Sequence, residues 1–132
     1  MSTSDLVALI VDDQETMRSI IRRLLGVLNI KHILEAENIA GAIALLISGQ
    51  QKRPNFIISD LYLDKEGGLD FLNRLKSEEK LRNVHIPVIL LTGETNPKIL
   101  DPVWQAGASF ILNKPCSAPE LGKAIAHTLG AK

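Results

Sequence analysis

Short apolar runs alternate along the chain with longer segments in which apolar residues recur three and four positions apart. The first run, Leu6-Val7-Ala8-Leu9-Ile10-Val11, holds no polar residue, which suits a strand buried on both faces of a parallel sheet. Met17, Ile20, Ile21, Leu24, Leu25 and Leu28 then keep helical spacing. That spacing predicts a first helix with Arg18, Arg22 and Arg23 largely on its wet side and Asn29 as its stop. His32 to Ala36 reads as a second strand, and Ile39, Ala42, Ile43, Leu46 and Ile47 as a second helix ended by Gly49. After Pro54 a third strand, Asn55 to Ser59, delivers Asp60; the loop from Leu61 to Gly67 opens a third helix through Leu69, Leu72 and Leu75.

A polar stretch from Ser77 to His85 leads to a fourth strand, Val88 to Leu91, entered by Pro87 where a missing N–H does little harm and ended by Thr92-Gly93. Asn96-Pro97 has the form of an N-cap followed by Pro at the first helical position. Pro102 falls in the next turn, where it removes a hydrogen bond, so this fourth helix is expected to be short, bent or restarted at Asp101-Pro102. Gly107 closes it, Phe110 to Leu112 form a fifth strand, and Pro119 to Leu129 a last helix. Five strands alternating with five helices predict an α/β fold with a doubly wound parallel sheet, a three-layer sandwich. The flavodoxin-like (βα)5 strand order 2-1-3-4-5 is the leading topology, because it sets the first and third strands side by side at the switch point.

That topology gathers acids. Asp12-Asp13 follow the first strand and Asp60 the third, so three carboxylates are expected at the carboxyl edge of the sheet, where ligands of open α/β sheets collect. Crowded like charges raise one another's pKa and repel unless a cation sits among them. A few hard oxygen ligands suit Mg²⁺, which keeps several waters and often meets phosphate at the same time.

Composition narrows the function classes. The 132 residues carry 15 Lys+Arg and 15 Asp+Glu, so no basic excess offers a nucleic-acid footprint, and no helix-turn-helix segment is left over. Hydrophobic residues at 45% and charged residues at 23% are ordinary for a folded domain, and one compact domain spanning residues 1–132, with no output domain, is expected. Cys116 is the one cysteine; an internal disulfide is impossible, and no His is placed to partner it as a nucleophile. The N-terminus lacks a basic region followed by an apolar one, and no run approaches the roughly 18 residues of a membrane span, so no membrane association and a cytoplasmic location are expected. Met17 and Trp104 have the ordinary reading of core or half-buried packing. His32, His85 and His127 are too scattered for a metal site.

Taken together, Asp12-Asp13, Asp60, Thr92 and Lys114-Pro115, each at a strand end, resemble the receiver domain of two-component response regulators. Val11-Asp12-Asp13, Thr16-Met17-Arg18, Leu24-Leu25, Glu35-Ala36-Glu37 and Ile58-Ser59-Asp60 are similar to its free-standing, CheY-like chemotaxis form. The resemblance implies that Asp60 accepts a phosphoryl group from a sensor histidine kinase or a phosphotransfer protein. It also implies that Asp13, Asp60 and the Tyr62 backbone carbonyl hold Mg²⁺, with Asp12 acting directly or through a water. Lys114 would meet a phosphoryl oxygen, Thr92 would reach the group with its hydroxyl, and the Lys114-Pro115 bond would be cis. The protein would then be a phosphorylation switch in chemotaxis or motor control, or a phosphorelay shuttle, acting as a monomer or weak dimer. It would turn over its own Asp60 phosphate without being an enzyme for other substrates. Its target would dock on the fourth helix, fifth strand and fifth helix, with Trp104 and Ile111 as apolar contacts.

The chain departs from that pattern in places. Ile111 stands where most receivers carry an aromatic, and Phe110, one place earlier on a strand, points to the opposite face, so signalling is expected to rest on Thr92 and the fourth helix. Asp64 replaces a common Pro, and Glu66 adds another acid, which is expected to alter the loop or its metal affinity. Tyr62 and Glu94, two residues after Asp60 and Thr92, are expected to flank the mouth of the site and tune loss of the phosphoryl group. Two other classes stay open: an unphosphorylated pseudo-receiver adaptor, and a phosphohydrolase of the haloacid-dehalogenase type. The latter needs an Asp two residues after its nucleophile, where this chain has Tyr62.

Overall fold

A computed structural model describes residues 3–49, 52–63 and 67–130. Asp64 and Glu66 lie outside the described residues. Five strands, β1 (Val7–Val11), β2 (His32–Ala36), β3 (Phe56–Asp60), β4 (Val88–Thr92) and β5 (Phe110–Asn113), form one sheet in the order 2-1-3-4-5. All four pairings are parallel. Between them run α1 (Glu15–Val27), α2 (Ile39–Ser48), α3 (Gly68–Ser77), α4 (Pro97–Gln105) and α5 (Ala118–Thr128), the flavodoxin-like architecture expected from the alternation.

The sheet divides two apolar layers. Leu9, Val11, Ile57 and Leu90 pack with α2, α3 and α4 through Ile43, Leu46, Phe71, Leu72 and Val103. Ala8, Ile10, Ile58 and Ile89 turn the other way, toward Ile21, Leu25, Leu121 and Ile125 of α1 and α5. Strand periodicity explains the split, since neighbouring residues face opposite sides. Ile111 accordingly packs on the first layer and Phe110 on the second, where its ring meets His127 edge-on at 5.4 Å. The two cannot exchange roles.

Helix ends follow local chemistry. After α1, Asn29 takes a left-handed conformation with φ of 63°, and Gly49 does the same after α2 with φ of 65°, both as stop residues should. Asn38 caps α2 and Ser117 caps α5, each through a side-chain oxygen that accepts a backbone N–H. Gly68 allows α3 to start against the strand that precedes it: a Cβ there would lie 3.2 Å from the Leu61 Cα and 3.3 Å from the Asp60 carbonyl oxygen.

Two expectations need adjusting. The fourth helix is short, one of the three expected outcomes, and it is not restarted at Asp101-Pro102, since Pro102 lies within the continuous span Pro97–Gln105. The Lys98 carbonyl that would have received the missing N–H belongs to an exposed residue, as is Pro102 itself, so water can satisfy it and the helix continues. The second correction is Arg18, which is only 6% exposed and not on the wet side of α1.

Candidate functional site

Strand register sets the site. Val11 is opposite Ser59, so the next residues, Asp12 and Asp60, emerge side by side at the carboxyl edge; Thr92 pairs with Asn113 and brings Lys114 up on the other flank. A backbone hydrogen bond of 2.9 Å from the Lys114 N–H to the Thr92 carbonyl extends that pairing past the strand ends. The Lys114–Pro115 bond is cis.

Asp60 is the meeting point. Its Oδ2 accepts from Lys114 Nζ at 2.8 Å, and its Oδ1 from the Tyr62 N–H at 3.2 Å. The ion pair is largely withdrawn from solvent, with 13% of the Asp60 side chain exposed. Low exposure strengthens such a pair and leaves the carboxylate a defined orientation.

Asp12 is fully buried. Its N–H donates to the Ala36 carbonyl at 3.1 Å, its carbonyl accepts from Arg18 Nη1 at 2.7 Å, and its Oδ1 accepts from the Gln14 N–H at 2.9 Å. The other carboxylate oxygen, Oδ2, is buried with no hydrogen-bond partner. Burial above all pushes this carboxyl over the ordinary aspartate range, and the charges of Asp60 and Asp13 add to the rise while the Gln14 N–H and Lys114 oppose it. Asp13 is exposed beside it.

The far side of the mouth is built by two loops. Thr92 is buried, and its hydroxyl accepts the Glu94 N–H at 2.9 Å. The Tyr62 hydroxyl donates to Glu94 Oε1 at 2.6 Å, while Glu94 Oε2 accepts the N–H groups of Thr95 and Asn96. The phenol holds Glu94 below the usual carboxylate range, and the same bond raises the tyrosine. Tyr62 remains 55% exposed, so this bridge is a surface one.

The five strand-end residues named from the sequence, Asp12, Asp13, Asp60, Thr92 and Lys114, therefore come to one edge, and Tyr62 and Glu94 join across it. Cys116 is partly buried against the α1 and α5 layer, with a thiol raised by burial, as befits packing. A groove of about 530 Å³ among Leu46, Leu75, Lys76, Arg82, His85 and Pro87 opens elsewhere, near the start of β4, and none of the acids lines it. What sequence reasoning missed is Arg18, which ties Asp12 to Glu15 of α1 and Glu35 of β2. The acids at positions 15, 35 and 37, around one arginine, were the available signal.

Residues 8–126 match the family model described as the response regulator receiver domain. The chain belongs to that family. The receiver is 33% identical to the chemotaxis protein CheY of Pseudomonas aeruginosa over 117 residues, 89% of this chain and 90% of that protein. CheY-3 of Vibrio cholerae is 32% identical over 113 residues, 86% of this chain and 83% of the other. Among solved structures, a receiver domain protein from Clostridium thermocellum superposes with a TM-score of 0.79 at 26% identity, covering 95% of this chain and 94% of that one. CheY4 of Vibrio cholerae, at 24% identity and a TM-score of 0.77 over 93% and 98% of the two chains, shares the fold. The protein is thus the receiver of a CheY-like response regulator in a two-component system, a signalling protein and not a conventional enzyme. Among the described residues no helix of the receiver is long and apolar enough to cross a membrane.

Proposed function

We propose that Asp60 takes a phosphoryl group from the phosphohistidine of a sensor kinase or phosphotransfer protein and that the receiver then binds a target protein. A carboxylate oxygen of Asp60 forms the new bond to phosphorus as the bond from phosphorus to the imidazole nitrogen breaks, leaving an aspartyl phosphate. Lys114, already against Asp60, transfers its hydrogen bond to a phosphoryl oxygen. Thr92 turns its hydroxyl from the Glu94 N–H to the same group and draws the loop before α4 inward.

A divalent cation fits the acids present. Asp12 Oδ2 is a buried oxygen without a partner beside two other carboxylates, a donor set suited to Mg²⁺. Among the described residues no three His, Cys, Asp or Glu side chains stand close enough to form a metal cluster by themselves. Asp12, Asp13, Asp60 and the Tyr62 carbonyl would hold the ion. When bound, Mg²⁺ neutralises the acids and screens the incoming phosphate. The unpartnered Asp12 oxygen next to the Asp60–Lys114 pair carries this reading, because an adaptor that never met a cation or phosphate has no use for such an arrangement.

The target surface in this proposal is the face of α4, β5 and α5. Trp104 is 46% and Ile99 38% exposed there, while Ile111 is partly buried and contributes less than its neighbours. Chemotaxis is the pathway that the relatives' names favour; a phosphorelay shuttle is the second. The receiver acts in the cytoplasm as a monomer or weak dimer. Exposure to acetyl phosphate with and without Mg²⁺, followed by intact mass, tests the core claim. A metal-dependent gain of one phosphoryl group is expected, and its absence would select the unphosphorylated adaptor.

A further inference from the structure

We propose that Arg18 is a positioning residue for the divalent cation: its guanidinium clamps the main chain of Asp12 and so fixes where the two N-terminal acids stand. The inference rests on the phosphoryl-transfer reading above. Arg18 is 6% exposed, and burying a guanidinium is unfavourable unless every face is partnered; an apolar residue there would pack more cheaply. What the cation touches therefore indicates why it is there. Nε meets Glu35 Oε1 at 3.1 Å, Nη2 meets Glu15, and Nη1 donates to the Asp12 carbonyl at 2.7 Å. Glu35 is shared with Arg22, whose Nη1 lies 2.6 Å from Oε2, so β2 anchors the clamp firmly.

The third contact is the informative one. The Asp12 carbonyl belongs to the peptide plane that leads into Asp13, and the Asp12 N–H is held by Ala36. With both ends of Asp12 fixed and Oδ1 taken by Gln14, the peptide cannot rotate, and the Asp12 Oδ2 stays aimed without a protein partner. The charge of Arg18 is met by Glu15 and Glu35, and what it gives Asp12 is a hydrogen bond to the main chain. Its function is geometric. A lysine would keep the charge but could not present three divergent donors in one plane.

The test is Mg²⁺ titrated into the unphosphorylated full chain by calorimetry, with amide ¹⁵N shifts of Asp13 and Gln14 followed in parallel. Arg18→Met and Arg18→Lys are each expected to weaken Mg²⁺ binding by roughly tenfold or more, the usual size of an outer-shell effect. Glu35→Gln, which removes charge but not the carbonyl contact, is expected to lower melting temperature with little change in Mg²⁺ affinity. Should Arg18→Met fail to fold, Arg18→Lys carries the comparison alone. Variants that melt earlier yet bind Mg²⁺ as the wild type does would make Arg18 merely structural and overturn the inference. A wild-type chain that binds no Mg²⁺ would instead overturn the phosphoryl-transfer reading, and this inference with it.

Discussion

The two walls of the acidic mouth are built to opposite standards. On one side Asp12 is fully buried, with its N–H, its carbonyl and one carboxylate oxygen all bonded, and with a buried arginine behind it. On the other, Tyr62 and Glu94 meet in solvent, and the hydroxyl of the buried Thr92 holds the loop by one bond from the Glu94 N–H. The buried wall is fixed by its own hydrogen bonds. The exposed wall can move for little energy, because surface hydrogen bonds exchange readily with water. A switch needs both: rigid ligands to fix the reacting group, and a weakly held loop to report its arrival.

Asp60 lies between the walls, and removing it should leave neither with a purpose. Asp60→Asn is expected to abolish the mass gain from acetyl phosphate completely while preserving the fold, as judged by circular dichroism. A phosphoryl adduct persisting in that variant would place the acceptor elsewhere and end the comparison. Lys114→Met removes the cation that pairs with Asp60. Adduct formation is expected to slow by roughly 100-fold, the scale of losing one donor aimed at developing charge.

The buried wall makes a claim about stability as well. Asp12 sits beside two other carboxylates with one oxygen unpaired, so Asp12→Asn is expected to stabilise the metal-free protein by about 1 kcal/mol as that strain is relieved. Urea melts in chelator would measure it, alongside a smaller stabilisation by Mg²⁺ and adduct formation slowed by roughly tenfold. A less stable variant would mean that the acids are not in conflict when empty.

The exposed wall should yield a smaller effect of opposite character. Tyr62→Phe removes the hydroxyl that bridges to Glu94, and loss of the phosphoryl group is expected to quicken by roughly threefold, the weight of one modest surface contact. Tyr62→Ala with an unchanged adduct lifetime would dismiss any shielding by the ring.

The two walls were also unequally legible in the sequence. Strand ends and acids could be read because periodicity assigns a face to every residue of β1 and β3, and each strand points its last acid to the same edge. Asn29 and Gly49 were legible as stops because few residues accept a left-handed conformation. Arg18 was misplaced because helical spacing locates a Cα, whereas a long side chain can fold back over its own first turn to a carbonyl six residues earlier. Pro102 misled for a related reason: its effect depends on whether the orphaned carbonyl faces water, which spacing does not record. The bond between Tyr62 and Glu94, 32 residues apart, follows from how two loops meet and only its two ends could be named.

A change outside both walls is expected to touch stability alone. Ser117 caps α5, its hydroxyl accepting the Glu120 N–H at 3.2 Å while Glu120 accepts the Ser117 N–H at 3.0 Å. Ser117→Ala is expected to lower stability by about 1 kcal/mol near neutral pH and leave Mg²⁺ binding and adduct lifetime untouched. The cap also carries a pH signature. The Ser117 N–H holds Glu120 below its usual range, and a carboxylate depressed on folding contributes stability fully above its unfolded value of 4.5 and loses it as pH falls through the lower folded one. Melts of wild type and Glu120→Gln should therefore differ near neutrality and draw together in acid. If Ser117→Ala shifted the phosphoryl lifetime as much as Tyr62→Phe does, that lifetime would follow general stability, and the distinction between a rigid wall and a moving one would lose its meaning.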